Sequence, residues 1–425
     1  MFLTLEDPRA KVQGSRDPLG VLPIWASFGR KLVTNLTTVS NSVRGFTIVL
    51  LARYYTERLI DDGKIGEEDA LGVFLRMEQI GAYARHKGHG VEGDIRGIER
   101  VKRFLAETKG RPTIQDNPAG MILSDQRTYG LWGLYSVPSR VSRLIEDGPV
   151  GLSTDARDFV SRQYAPIIKP VEQDLLGLLR SGGTLNTDRR NPLFSAIVNV
   201  LPNRLSAEEK RFYRKFLRDG EAVVGAAPGR QHILAELLRQ HASPTAWIGR
   251  ETVLSLSDRA RSVDEALSDR LSKVARLEAL LAPAEALFAH VQLRPNQAVS
   301  TLAGRLRDHW GRTVPNLGRP GFKEIRPEIA QAVGEESATI IDQADQALGT
   351  GQYDDAIKAV LDWNALVMQR RGSAPWVRLA RGKIDVRYRG QDQRLPDADE
   401  LGTLWRNTYF LDSLKDVTRQ LGKVV

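Results

Sequence analysis

A chain of 425 residues exceeds one ordinary hydrophobic core and implies two or three domains, and 41% hydrophobic with 27% charged residues is a globular balance. A formal charge of +9 favours polyanionic partners. The absence of cysteine excludes disulfides, thiolate metal sites, iron–sulfur clusters and cysteine nucleophiles.

Residues 1–35 read as an extended arm, rich in Pro, Gly and charge over 1–24. The opening MFLTLEDPRAKVQGSRDPLG lacks the basic start and apolar core of a signal peptide. The most apolar run, GFTIVLLARYY at 45–55, is shorter than the about 20 residues that span a bilayer. The expectation is a cytoplasmic protein without membrane contact.

A helical domain is expected over 36–170. Phe46, Val49, Leu50 and Tyr54 recur at helical spacing, with Asn41 or Ser42 as cap. Helices over 67–86 and 97–107 follow. The second sets Ile98, Val101, Phe104 and Leu105 against Arg96, Arg100, Lys102 and Arg103. Residues 120–137 predict another helix, and Ser136 and Pro138 suit the start of one more. In that helix Val141, Leu144 and Ile145 face inward, and Arg140 and Arg143 outward. EDGPVGLS then has the length of a small wing, and Ser153 suits the cap of a further helix. This order resembles winged-helix DNA-binding domains over about 40 residues.

Residues 171–313 read as a helical bundle. SAEEKRFYRKFLRDG at 206–220 opens with a capping box, Ser206 and Glu209, and carries Lys210, Arg211, Arg214, Lys215 and Arg218 as a basic stripe. The steps Leu256, Ala260, Val263, Leu267, Leu271, Val274, Leu277 and Leu281 predict one long bundle helix over 251–290, or else a short antiparallel coiled coil. AAPG at 226–229 and VPNLGRPGFKEIRP at 314–327 read as breaks. The last domain, 328–425, starts with a helical hairpin over 338–372. It resembles a single tetratricopeptide repeat, though an ordinary helix pair on a bundle fits better. A β-hairpin over 374–396 and a closing helix over 399–421 follow. The fold class is therefore mainly α, multi-domain, with a winged-helix-like subdomain and a small C-terminal β-hairpin.

Catalytic signatures are missing: no phosphate-binding loop, no Gly-x-Ser-x-Gly elbow and no helical zinc-protease pattern. ARHKGHGVEGD at 84–94 joins His86 and His89 to Glu92 and Asp94. With Arg85 and Lys87 beside them it reads as a solvated or phosphate-contacting loop rather than a metal site. The reading names no catalytic residue, metal or cofactor.

Basic surface does recur. Residues 76–111 hold nine Lys/Arg against five Asp/Glu, 180–218 nine against three, and 370–389 seven against one. Such patches contact phosphates without specifying sequence. The candidate contacts are Arg96, Arg100, Lys102, Arg103, Arg140, Arg143, Lys210, Arg211, Arg214, Lys215, Arg381, Lys383 and Arg387. Phe212, Tyr213, Phe216, Trp376 and Tyr388 lie near them, and helical spacing sends Phe212 and Phe216 to the core.

The blocks SNSVRGFTIVLLARYYTERL and SDQRTYGLWGLYSVPSRV resemble large uncharacterised helical proteins encoded beside bacterial anti-phage defence genes. The resemblance implies a defence or DNA-processing complex and assigns no residue a role. The leading expectation is a non-catalytic nucleic-acid-binding subunit of a bacterial multi-protein assembly, on DNA rather than RNA. The alternative is an adaptor that binds protein subunits through the C-terminal region, and last comes a nuclease with dispersed acids.

Overall fold

The computed structural model describes residues 17–148, 150–220, 229–311, 319–390 and 393–422. Residues 1–16 of the expected arm, most of the 226–229 break and the first part of the 314–327 linker lie outside these. The protein is mainly helical, with two short antiparallel strand pairs. Its contacts define two units: Val33–Thr245 with Phe410–Val425, and Met1–Leu32 with Ala246–Tyr409.

In the 33–245 unit the helix Val43–Asp61 is buried along most of its length, Arg44 and Arg53 included. A helix apolar on nearly every side has to be enclosed by others. Ala70–Tyr83, Leu131–Val141, Thr154–Gln163 and Glu172–Ser181 pack against it. Glycines set the approach: a Cβ on Gly45 would lie 2.6 Å from the Tyr135 ring, and one on Gly81 2.7 Å from Ile48. Arg44 forms a two-pronged ion pair with Glu209, and the Tyr164 hydroxyl donates to the same carboxylate at 2.7 Å. Glu209 also completes the expected capping box with Ser206. Arg53 lies 4.6 Å over the Trp132 ring and donates to the Gly148 carbonyl. The blocks 40–59 and 124–141 thus pack on each other, with Phe46 edge-on to Tyr135 and the Ser42 N–H donating to the Tyr135 hydroxyl.

The stretch 120–145 departs from its expected boundaries. Its helices are Gln126–Tyr129 and Leu131–Val141. Glu78 accepts from the Leu131 N–H at 2.8 Å and so supplies the cap that Ser136 was expected to give. Ser136 sits inside the helix and donates to the Trp132 carbonyl. Arg143, at φ 54, turns the chain beyond the helix end, so Leu144 and Ile145 go inward while Val141 is 36% exposed rather than inward-facing. The loop after it is closed by one isolated bridge, Ile145 to Leu152, and Ser153 caps Thr154–Gln163 as expected.

In the 246–409 unit, Val21–Arg30 is helical within the expected arm and packs against the helices Glu265–Gln292 and Arg319–Val333. The long helix expected at 251–290 is two, Arg250–Ala260 and Glu265–Gln292. Asp264 starts the second by accepting from the Leu267 N–H, and Val263, placed on the apolar stripe by its spacing, is 63% exposed at the turn. Ser257 joins the pair through Ser268 and Ser272. Glu335–Gly349 and Tyr353–Arg370 form the expected helical hairpin.

The strands Val377–Ala380 and Lys383–Val386 pair in the register Val377–Val386, Leu379–Ile384. Val377 and Ile384 are buried, whereas Leu379, on the same face as Val377 by register, is 41% exposed. The closing helix is only Leu411–Leu421. It belongs to the 33–245 unit, where Gln420 bonds the Val43 N–H and the Asn41 carbonyl.

Candidate nucleic-acid interface

Two basic patches meet in the 33–245 unit. Thr113–Ile114 pairs with Gly183–Thr184, and the pairing extends as Leu185 N–H to the Pro112 carbonyl and Thr187 N–H to the Gly110 carbonyl, at 2.9 and 3.0 Å. The Thr187 hydroxyl donates to that same Gly110 carbonyl at 2.8 Å. This ladder holds the loop 108–112, from the first patch, beside the loop 186–190, from the second. Between them opens a cleft of about 700 Å³, with Lys87, Lys109, Arg111 and Arg189 on its wall.

Local structure explains each position. Lys87 sits in a π-helical turn, Ala84–Gly88, that ends the helix Ala70–Tyr83. A Cβ on Gly88 would lie 2.6 Å from Val198. The helix Ile98–Glu107 ends with Lys109 N–H on the Ala106 carbonyl and Gly110 N–H on the Leu105 carbonyl, a Schellman closure. Lys109 therefore occupies a left-handed position, φ 51, where glycine is usual. On the other side Asp188 accepts from the Arg190 N–H at 2.8 Å and fixes the loop.

All four cations are exposed, and none forms an ion pair with a described residue. Asp188 is the single carboxylate in the lining, and no aromatic ring belongs to it. The arrangement can hold phosphate groups.

The predicted contacts on helices are placed differently. Lys102 pairs with Glu92 at 2.8 Å, Arg103 with Glu107 at 3.8 Å, Arg211 with Glu208 at 2.9 Å and Lys215 with Asp155 at 3.0 Å. Arg140 pairs with Asp147 at 3.0 Å. Arg96 and Arg100 donate to the Val39 and Met121 carbonyls. Arg214 donates to the Leu421 and Gly422 carbonyls and so closes the last helix. Lys210 is half-buried, and Arg143 is exposed. Arg381, Lys383 and Arg387 lie exposed on the hairpin of the other unit. Phe212 stacks on Phe159 at 3.8 Å and touches Phe216, so these rings pack with neighbours instead of facing a ligand.

The sequence reading put Lys87 in a solvated or phosphate-contacting loop but passed over Lys109, Arg111 and Arg189, although its patches contain them. The signal was the motif KGRP and the pair DRR, cations in Gly- or Asp-marked turns.

The histidines of 84–94 bond backbone: His86 Nδ1 lies 3.1 Å from the Val91 carbonyl, and His89 Nε2 2.9 Å from that of Val198. Among the described residues no three His, Asp or Glu converge as metal ligands, and no helix is long and apolar enough to cross a membrane.

Two buried acids stand out elsewhere. Glu78 accepts from Gln126 and the Leu131 N–H, and burial pushes its pKa up to about 7. In the 246–409 unit Glu278 accepts from the Tyr409 hydroxyl, the Asn407 amide and two backbone N–H groups, which anchors 406–409 to the long helix. Burial and the Glu278 charge push the neighbouring Glu285 up to about 8.

No protein-family model, curated protein or solved structure matches the chain.

Proposed function

We propose that this chain is a non-catalytic nucleic-acid-binding protein that holds the phosphate backbone of duplex DNA in the cleft between residues 108–112 and 186–190. The observation that carries the reading is the convergence on one concave wall of four exposed cations, none in an ion pair with a described residue. A cation already paired with a carboxylate gains little from a phosphate, whereas a free one releases counterions from DNA. Single-strand binders add aromatic platforms on which bases stack. The described lining has no aromatic ring and sets four cations against the one carboxylate of Asp188, which favours backbone contact on a duplex.

Two finer readings belong to the same proposal. One is the winged-helix-like role of 120–163, supported by the exposed Arg143 and by the small loop that the Ile145–Leu152 bridge closes. The other is membership of a defence or DNA-processing assembly, which rests on the resemblance of the blocks 40–59 and 124–141.

Fluorescence anisotropy of a labelled duplex tests the proposal. The four cleft contacts by themselves contribute about −3.6 to the slope of log affinity against log salt, a loss of roughly 150-fold between 50 and 200 mM. A flat salt dependence, or stronger binding to a single strand of equal length, contradicts it.

A further inference from the structure

The C-terminal hairpin shares a device with the cleft. Arg381 and Gly382 form its two-residue turn at φ 53 and 73, just as Lys109 and Gly110 stand at φ 51 and 79 in the other unit. Two-residue hairpin loops need positive φ at both central positions, and Asn or Gly fills them most easily. An arginine there is strained by its Cβ, and such outliers mark positions held for the side chain they display.

The hairpin is held on one edge beside its turn. Ile384 donates its N–H to the Gln297 carbonyl and accepts from the Asn296 N–H, so residues 296–298 cover one edge. Asn364 accepts from the Trp376 N–H at 2.9 Å. Arg378 is paired with Asp385 at 2.7 Å, which uses the hairpin's carboxylate. Arg381, Lys383, Arg387 and Arg389 remain exposed and form no ion pair with a described residue.

We propose that this hairpin tip is a second phosphate-backbone contact for duplex nucleic acid, separate from the cleft. The exposed cations of the turn and of the strand that follows it suit the phosphates of a duplex backbone. This inference rests on the duplex binding proposed for the cleft, which makes nucleic acid rather than an acidic protein the occupant.

The test uses the full chain and a labelled duplex over a salt series. Arg381→Asn keeps the turn chemistry, so its Tm should equal or exceed that of the parent. Adding Lys383→Gln and Arg387→Gln should make the salt slope shallower by about 2.7, three contacts' worth. A folded triple variant with the parent's affinity and slope overturns the hairpin contact while leaving the cleft reading intact. A parent chain that binds no duplex overturns both. Binding of polyglutamate that the triple variant loses, with its duplex affinity and slope unchanged, would assign the tip to an acidic protein and also overturn it.

Discussion

The helix Ile98–Glu107 and the turn that follows it carry similar charge and do different things with it. On the helix, Lys102 and Arg103 meet Glu99, Glu92 and Glu107 within ion-pair distance. Two and four residues beyond its end, Lys109 and Arg111 face open solvent in a cleft. A helix places residues three and four apart side by side, so a mixed-charge helix neutralises itself. A tight turn sends its side chains outward with no such neighbour. The free positive charge of a basic protein therefore collects at turns, and the sequence total overstates what its helices offer a ligand.

The cations deepest in the fold are where this contrast breaks most severely. Arg44 is buried against Glu209, and removing one member of a buried pair leaves the other uncompensated. Arg44→Ala should lower unfolding free energy by about 3–5 kcal/mol, read from denaturant midpoints. A loss below about 1 kcal/mol would show that the pair is solvated.

Acids obey the same rule with the opposite sign. Glu78 is held near 7 in the fold, above its unfolded value, so the folded state binds the extra proton. Its stabilisation is complete below the ordinary carboxylate range and is lost as pH rises through about 7. Stability should therefore fall from pH 5 to pH 8 by an amount on the order of 3 kcal/mol from this group. Glu78→Gln should flatten that fall, since the amide can still accept from Leu131. An unchanged pH profile in the variant would remove Glu78 as its source.

Smallest is the effect expected on the self-neutralised helix. Lys102→Gln with Arg103→Gln should change stability by less than about 1 kcal/mol, because exposed pairs contribute little. Duplex affinity should stay close to that of the parent in the same anisotropy titration. A large loss there would mean that the ion pairs open for DNA.

What the sequence made legible was local. The Ser206–Glu209 capping box, the Ser153 cap and the hairpin around Arg381–Gly382 each rest on residues a few positions apart. One correction is local too, and another is not. Asp264 outweighed the apolar step at Val263 because a side-chain cap offers a new helix start. Glu78 capped the helix that begins at Leu131 from more than fifty residues away, which no window of that helix contains. The cleft is of this second kind. It exists because Thr187 bonds Gly110 across 77 residues, so both patches were visible in composition but their meeting was not.

The most direct test sets the two kinds of cation against each other. Duplex binding is measured across a salt series for the parent, for Lys109→Gln, Arg111→Gln and Arg189→Gln combined, and for Lys102→Gln, Arg103→Gln and Arg211→Gln combined. The cleft variant should have a slope shallower by about 2.7, and the helix variant should follow the parent. Coincident slopes for the parent and the cleft variant, or a loss confined to the helix variant, would contradict the account.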